Sequence, residues 1–152
     1  MAPDARHGTH CGVLQATVEE LQAWFDSRQT SGGGRLITLE LLEEDRLVAR
    51  RRPQEMDLRP GGIINGPALV SLVDAAGWMM AVAHQPPGSD AFTADLSMQF
   101  LRGAPVGELS VEVKALRVAG RTAIVDATIT SPAVGDGPVA HAVLTFVSPA
   151  AS

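Results

Sequence analysis

The sequence predicts an α+β fold in which an antiparallel sheet wraps around one long buried helix. Two observations carry this. Between Arg59 and Asp90 the only formal charge is Asp74, so the segment around it is apolar nearly all round and calls for burial on most sides. Around that segment lie six stretches in which apolar and polar residues alternate with a period of two, several of them joined by tight turns. Six strands with hairpin links make a mainly antiparallel sheet. The apolar helix lies against its concave face, and a second element or a second copy of the chain hides what remains.

The elements follow in order. Residues 1–11 read as a loose tail. Residues 13–28, VLQATVEELQAWFDSR, read as an amphipathic helix with Leu14, Val18, Leu21 and Phe25 on one face and Trp24 beside them. The run SGGG, residues 31–34, ends it. RLITLELL (35–42) and RLVARR (46–51) form a strand pair turned by Glu43, Glu44 and Asp45. Residues 53–65 hold two prolines and a glycine pair and read as a long ordered loop. The apolar helix spans roughly residues 67–84 and stops at HQPPGSD.

Four strands complete the chain. FTADLSMQFL (92–101) places Ala94, Leu96, Met98 and Phe100 on one face and Thr93, Asp95, Ser97 and Gln99 on the other. ELSVEVKALRV (108–118) and RTAIVDATIT (121–130) flank the tight turn Ala119-Gly120. VAHAVLTFV (139–147) closes the sheet. The organisation is therefore an N-terminal tail and helix over residues 1–32 and one domain over residues 33–152.

Composition narrows the function classes. The 152 residues are 45% hydrophobic and 19% charged, a globular profile with a real core. A net charge of -5 and only one dense basic run, Arg50 to Arg52, argue against nucleic-acid partners. Cys11 is the only cysteine, which suits a reducing compartment, and a cytoplasmic location is expected. The opening MAPDARHGTHCG has no apolar run directly after a basic one, so no secretory signal is expected. Four prolines and several polar residues interrupt residues 60–89, so no membrane span is expected either.

Asp74 is the first candidate for chemistry. Apolar surroundings penalise an ionised carboxylate and tend to raise its pKa, which suits a general base or a nucleophile. The alternative is that Asp74 caps a loop or lies on the one wet stripe of its helix. The helix start is the second candidate. Pro67 fits the first turn, and Asn65 and Gly66 supply the cap or the turn before it. Free N–H groups there can stabilise a developing oxyanion, although an Asn-Gly-Pro turn alone explains the residues as well. Gly66 and Asp74 are eight residues apart, about 12 Å along a helix. One small reacting group cannot touch both within one chain, so a shared site requires two copies.

Thr93 opens the next strand and could hydrogen-bond the acid or a water, or simply favour a strand. His84 reads as a helix-end cap. His141 has no partners at ligand spacing, and no metal site is expected. No HExxH, GxSxG, P-loop or dinucleotide fingerprint occurs. Arg117, Arg121 and Lys114 flank the Ala119-Gly120 turn, and Arg59 and Arg102 precede loops; such arginines can hold the phosphates of a long anionic ligand.

NGPALVSLVDAAG, TADLSMQFLRGAPVGEL, VAGRTAIVDATIT and VAHAVLTF together resemble the hot-dog thioesterases, and among them the phenylacetic-acid-pathway-like acyl-CoA thioesterases. The resemblance covers about residues 33–148. It implies a hot-dog fold, an acyl-CoA substrate, no cofactor beyond the coenzyme A carried by that substrate, and a homodimer or a dimer of dimers. It implies that Asp74 activates water or attacks the thioester carbonyl. Gly66 would polarise that carbonyl from the partner subunit, and Thr93 would assist the water. Asn65 stands where the family motif has histidine, Pro67 where it has a second glycine, and Arg59 where an Asn or Gln is common. These departures leave two rivals: a hot-dog protein that binds acyl-CoA without turnover, and a hot-dog hydratase or dehydratase, which usually pairs its acid with a histidine.

Overall fold

Helix α2, Gly66–Ala83, is the axis of the molecule. Asn65 caps it, its side-chain Oδ1 accepting the Ala68 N–H at 2.9 Å, and Pro67 sits in the first turn, where a missing N–H costs nothing. Leu72, Val73, Ala76, Met79 and Met80 are fully buried. Each large apolar side chain so removed from water contributes about 1.5–3 kcal/mol, which makes α2 the main apolar face of the core. By length and hydropathy alone α2 could cross a membrane, but most of it is buried inside the protein. The structure is a computed structural model that describes residues 11–29, 36–54 and 57–150.

A six-stranded antiparallel sheet curls around this helix in the order β1-β2-β6-β7-β8-β5. The strands are β1 (Ile37–Leu42), β2 (Arg46–Arg51), β5 (Phe92–Phe100), β6 (Leu109–Ala119), β7 (Thr122–Thr130) and β8 (Ala140–Val147). Inward positions alternate as the sequence predicts: Val111 and Val113 in β6, Val125, Ala127 and Ile129 in β7, and Ala142, Leu144 and Phe146 in β8 are all buried. This architecture, a sheet wrapped on one long apolar helix, is the expected hot-dog arrangement.

Three elements differ from the sequence reading. Residues 53–65 are not only loop: β3 (Leu58–Arg59) and β4 (Ile63–Ile64) pair across Gly61 and Gly62, whose φ angles of 97° and 75° suit glycine. The N-terminal helix, α1, covers Val18–Ser27 rather than residues 13–28. Thr17 and Glu20 form a capping box that starts it there. The residues before it have another use: Gln15 donates its backbone N–H to Ala83 O at 2.8 Å and its side-chain amide to His84 O at 3.1 Å, satisfying carbonyls at the C-terminus of α2. The third difference is a bulge in β5 between Thr93 and Asp95. Of the expected tail over residues 1–11, residues 1–10 lie outside the described residues, as does the SGGG run.

The two edges of the sheet are treated differently. Buried Gln22 of α1 accepts the Leu39 N–H at 2.6 Å and donates to Ile37 O at 3.1 Å, so α1 covers the β1 edge, and Leu21 and Phe25 join the common core. The β5 edge has Phe92 and Phe100 61% and 55% exposed. It is the most apolar open margin among the described strands.

Candidate active site

The face of α2 that carries Ser71, Asp74, Ala75 and Trp78 is spaced i, i+3, i+4, i+7, so these residues line up along one stripe. That stripe forms a wall of a cavity of about 1080 Å³. Asp74 is therefore half-buried on the wet stripe of an otherwise apolar helix, rather than enclosed by apolar neighbours. Its carboxylate Oδ1 accepts the Thr93 hydroxyl at 2.6 Å.

Thr93 reaches Asp74 because β5 is irregular. Thr93 pairs with Phe146 of β8 and Asp95 with Thr145, which leaves Ala94 as an extra residue. Phe146 and Leu144 point into the core, so Thr93 shares the inward face with Leu96, the partner of Leu144. A strict period of two places Thr93 with Asp95, Ser97 and Gln99; the bulge reverses that and turns the hydroxyl toward α2.

Past Asp74 the cavity wall is aromatic and charged. Trp78 stands edge-to-face with Trp24 at 5.5 Å and under the Arg28 guanidinium at 5.1 Å. Its indole N–H donates to Asp90 Oδ1 at 3.1 Å, and Arg28 donates to Asp90 Oδ2 at 2.8 Å. Burial alone would push the Asp90 carboxyl up. The Trp78, Ala91 and Arg28 donors outweigh it and hold Asp90 below its ordinary value. Phe25, Ile37, Phe92 and the buried Arg51 also line this space.

Gly66 lies elsewhere. With Arg59, Ile63, Phe100 and Arg102 it lines a separate cavity of about 350 Å³. Within one chain the structure thus brings Thr93 to Asp74 but not Gly66 or Asn65, which sit at the helix start. The arginines expected at phosphates are also divided, with Arg59 and Arg102 both at the Gly66 cavity. Arg59 is exposed beside the Gly66 cavity. Arg121 is at the opposite end of the molecule, its Nε donating to Ser148 O at 2.8 Å; Arg117 is exposed on the same hairpin, whose Gly120 O accepts from Gln85 just beyond α2. The 18-residue helix separates these ends by about 27 Å.

Neither histidine of the described residues lines the cavity of Asp74. His84 is buried at the C-cap of α2, its Nε2 at 2.8 Å from Glu44 O, and His141 pairs with Asp126 at 2.9 Å on the outer face of the sheet. Among the described residues no three His, Cys, Asp or Glu side chains converge as a metal site. Sequence reasoning missed Arg28, Asp90, Arg51 and Asp57. For Arg51 a signal existed: it keeps the period-two register of Leu47 and Ala49, which marks it as inward-facing.

A six-stranded sheet wrapped on one long helix is a hot-dog domain, and here a carboxylate and a hydroxyl meet at the wall of an open cavity. The family model of the thioesterase superfamily matches residues 61–138, and the chain belongs to that superfamily. No curated protein matches the sequence. Among solved structures, a protein of Silicibacter sp. TM1040 provisionally named a thioesterase is 25% identical, with a TM-score of 0.79 over 91% of this chain and 95% of that one. A phenylacetic acid degradation-related protein of Ralstonia eutropha JMP134 is 20% identical, with a TM-score of 0.71 over 84% and 98% of the two chains. A hypothetical thioesterase of Streptococcus pneumoniae, solved with coenzyme A, is 18% identical, with a TM-score of 0.63 over 74% and 87%.

Proposed function

We propose that the protein is an acyl-CoA thioesterase that hydrolyses its substrate at a site shared by two copies of the chain. The observation that carries this reading is the Thr93–Asp74 hydrogen bond at the wall of the large cavity. The carboxylate is held in one orientation, with its second oxygen left to take a proton from water or to attack carbonyl carbon. Thr93 spends its proton on Asp74, and its lone pairs remain to accept from a water.

Gly66 completes the site from the other copy. Its backbone N–H lies at the N-terminus of α2, where the helix dipole adds to the donor and favours the oxyanion of a tetrahedral intermediate. An antiparallel pairing of two α2 helices sets each Asp74 against the partner's Gly66. It also carries the Arg121 hairpin of one copy toward the Arg59 end of the other, which supports arginines from both copies on the phosphates of coenzyme A. The open β5 edge, with Phe92 and Phe100 exposed, is consistent with a homodimer built there. In the general-base route, water adds to the carbonyl as Asp74 takes its proton. The intermediate then expels coenzyme A as a thiolate, which needs little acid assistance and recovers the proton. The absence of a histidine from this cavity, among the described residues, favours hydrolysis over hydration of a double bond.

The test is thiol release across short, long and aromatic acyl-CoAs, with Asp74→Asn as control. Turnover by the parent and its loss in the variant, at unchanged melting temperature, support the enzyme. Unchanged hydrolysis by Asp74→Asn sinks the assignment, and binding without thiol release selects a binder.

A further inference from the structure

We propose that the buried Arg51–Asp57 ion pair positions the Gly66 amide, so that Arg51 and Asp57 are positioning residues for the carbonyl-binding turn. This rests on the reading of Gly66 as the carbonyl's donor. Arg51 ends β2 on its inward face, where an apolar residue would ordinarily stand. Its side chain and that of Asp57 are each only 8% exposed. One guanidinium nitrogen, Nη2, donates to both carboxylate oxygens, at 2.7 and 2.8 Å.

The pair is wired to the helix start through one residue. The Gln54 N–H also donates to Asp57 Oδ2, at 2.9 Å, so the carboxylate is gripped from two sides. The carbonyl of the same Asp57 accepts the Asn65 N–H at 2.7 Å. Asn65 in turn caps α2 and immediately precedes Gly66. Ile64, the other neighbour, is fixed by its N–H to Ala104 O at 2.8 Å. Fixing the Asp57 side chain therefore fixes the acceptor that orients the Ile64–Asn65 peptide, one link before the Asn65–Gly66 peptide that carries the Gly66 N–H. The pair also bridges the two cavities: Arg51 lines the large one, and the turn it holds lines the small one.

Stability alone is a poor reason for this arrangement. Taking two charges out of water is expensive, and a well-packed apolar pair often serves a fold as well or better. Here the arrangement also leaves Arg51 Nε buried with no hydrogen-bond partner among the described residues. What an ion pair supplies that an apolar pair does not is a fixed direction, and the thing it directs is the turn before Gly66.

The experiment compares the parent with Arg51→Met/Asp57→Leu, which replaces the pair by apolar groups, and with Asp57→Asn, which keeps shape and an acceptor for Gln54. Two readouts are taken: kcat and KM for thiol release, and amide hydrogen exchange over residues 57–66. The expected result is a melting temperature of the double variant close to the parent's, faster exchange in that segment, kcat lowered at least tenfold and KM within about threefold. Asp57→Asn gives a smaller loss in the same direction and serves alone should the double variant fail to fold. Unchanged kcat, a change confined to KM, or unchanged exchange overturns the proposal. A parent that releases no thiol counts against the hydrolase reading instead, and exchange at residues 57–66 still decides whether the pair holds the turn.

Discussion

The Thr93 hydroxyl donates to Asp74 at 2.6 Å, across the gap between β5 and α2. A hydrogen bond to a charged group contributes about 1.5–3 kcal/mol, and here it fixes which carboxylate oxygen is free. Thr93→Val keeps the shape and removes the donor. Its kcat should fall about ten- to hundredfold, the rate equivalent of that energy. Thr93→Ser keeps the hydroxyl and should stay within about threefold. Equal rates for Val and Ser would remove Thr93 from the mechanism.

What the sequence could and could not reveal about this pair has a physical cause. Asp74 was legible because one charge in an apolar helix demands an explanation, and its eight-residue distance from Gly66 already separated the two within a chain. The face of Thr93 was not legible. Side chains in a strand alternate with period two, so the single extra residue at Ala94 moves everything before it to the opposite face. Nothing in FTADLS marks a bulge. The start of α1 was hidden for a similar reason: Leu14 fits the helical stripe, while the Thr17–Glu20 box that overrules it is a local polar signal. The register of Arg51 marks it as inward-facing, but its pairing with Asp57 was not legible, because the two meet across a turn whose path the sequence does not draw.

Gly77 faces the sheet at a point where two effects oppose. Alanine is favoured over glycine inside a helix by about 1 kcal/mol. A Cβ at Gly77, however, would stand 2.7 Å from Phe146 Cε2 and 3.3 Å from Val125 Cγ2. Both neighbours are buried and have no room to retreat. Overpacking of this kind costs about 1–3 kcal/mol and should win. Gly77→Ala is expected to lower stability in urea by about 1–2 kcal/mol net, and the companion change Phe146→Leu should recover part of it. A more stable Gly77→Ala would show that the sheet can move off the helix.

The clamp of Arg28, Trp78 and Asp90 carries a pH dependence of defined sign. Asp90 is held below its ordinary value, so its contribution is complete above the unfolded carboxyl value, near pH 4, and is lost as pH falls through the folded one. Both Arg28 and Asp90 keep much of their side chains in water, at 45% and 30% exposure, so the effect should stay below about 1 kcal/mol. Acidification below pH 4 is expected to change the Trp78 fluorescence as the indole loses its anionic partner. Asp90→Asn should abolish that step while leaving the neutral-pH fold intact. An identical acid transition in the variant would assign the step to another carboxylate.

Asn65 separates capping from catalysis, because one substitution moves the two in opposite directions. Its side chain accepts the Ala68 N–H at 2.9 Å, so Asn65→Ala loses a cap worth about 1 kcal/mol and loosens the turn that presents Gly66. Both stability and kcat should fall. Asn65→Asp keeps the acceptor and adds a negative charge where the helix dipole favours one, by about 0.3–1 kcal/mol. The same charge stands beside the oxyanion that Gly66 is proposed to bind, and a like charge there costs on the order of 1–3 kcal/mol in the transition state. Asn65→Asp should therefore melt at or above the parent temperature and yet turn over about ten- to hundredfold more slowly. If rate follows stability in both variants, Asn65 acts only as a cap and the developing charge lies away from the helix start.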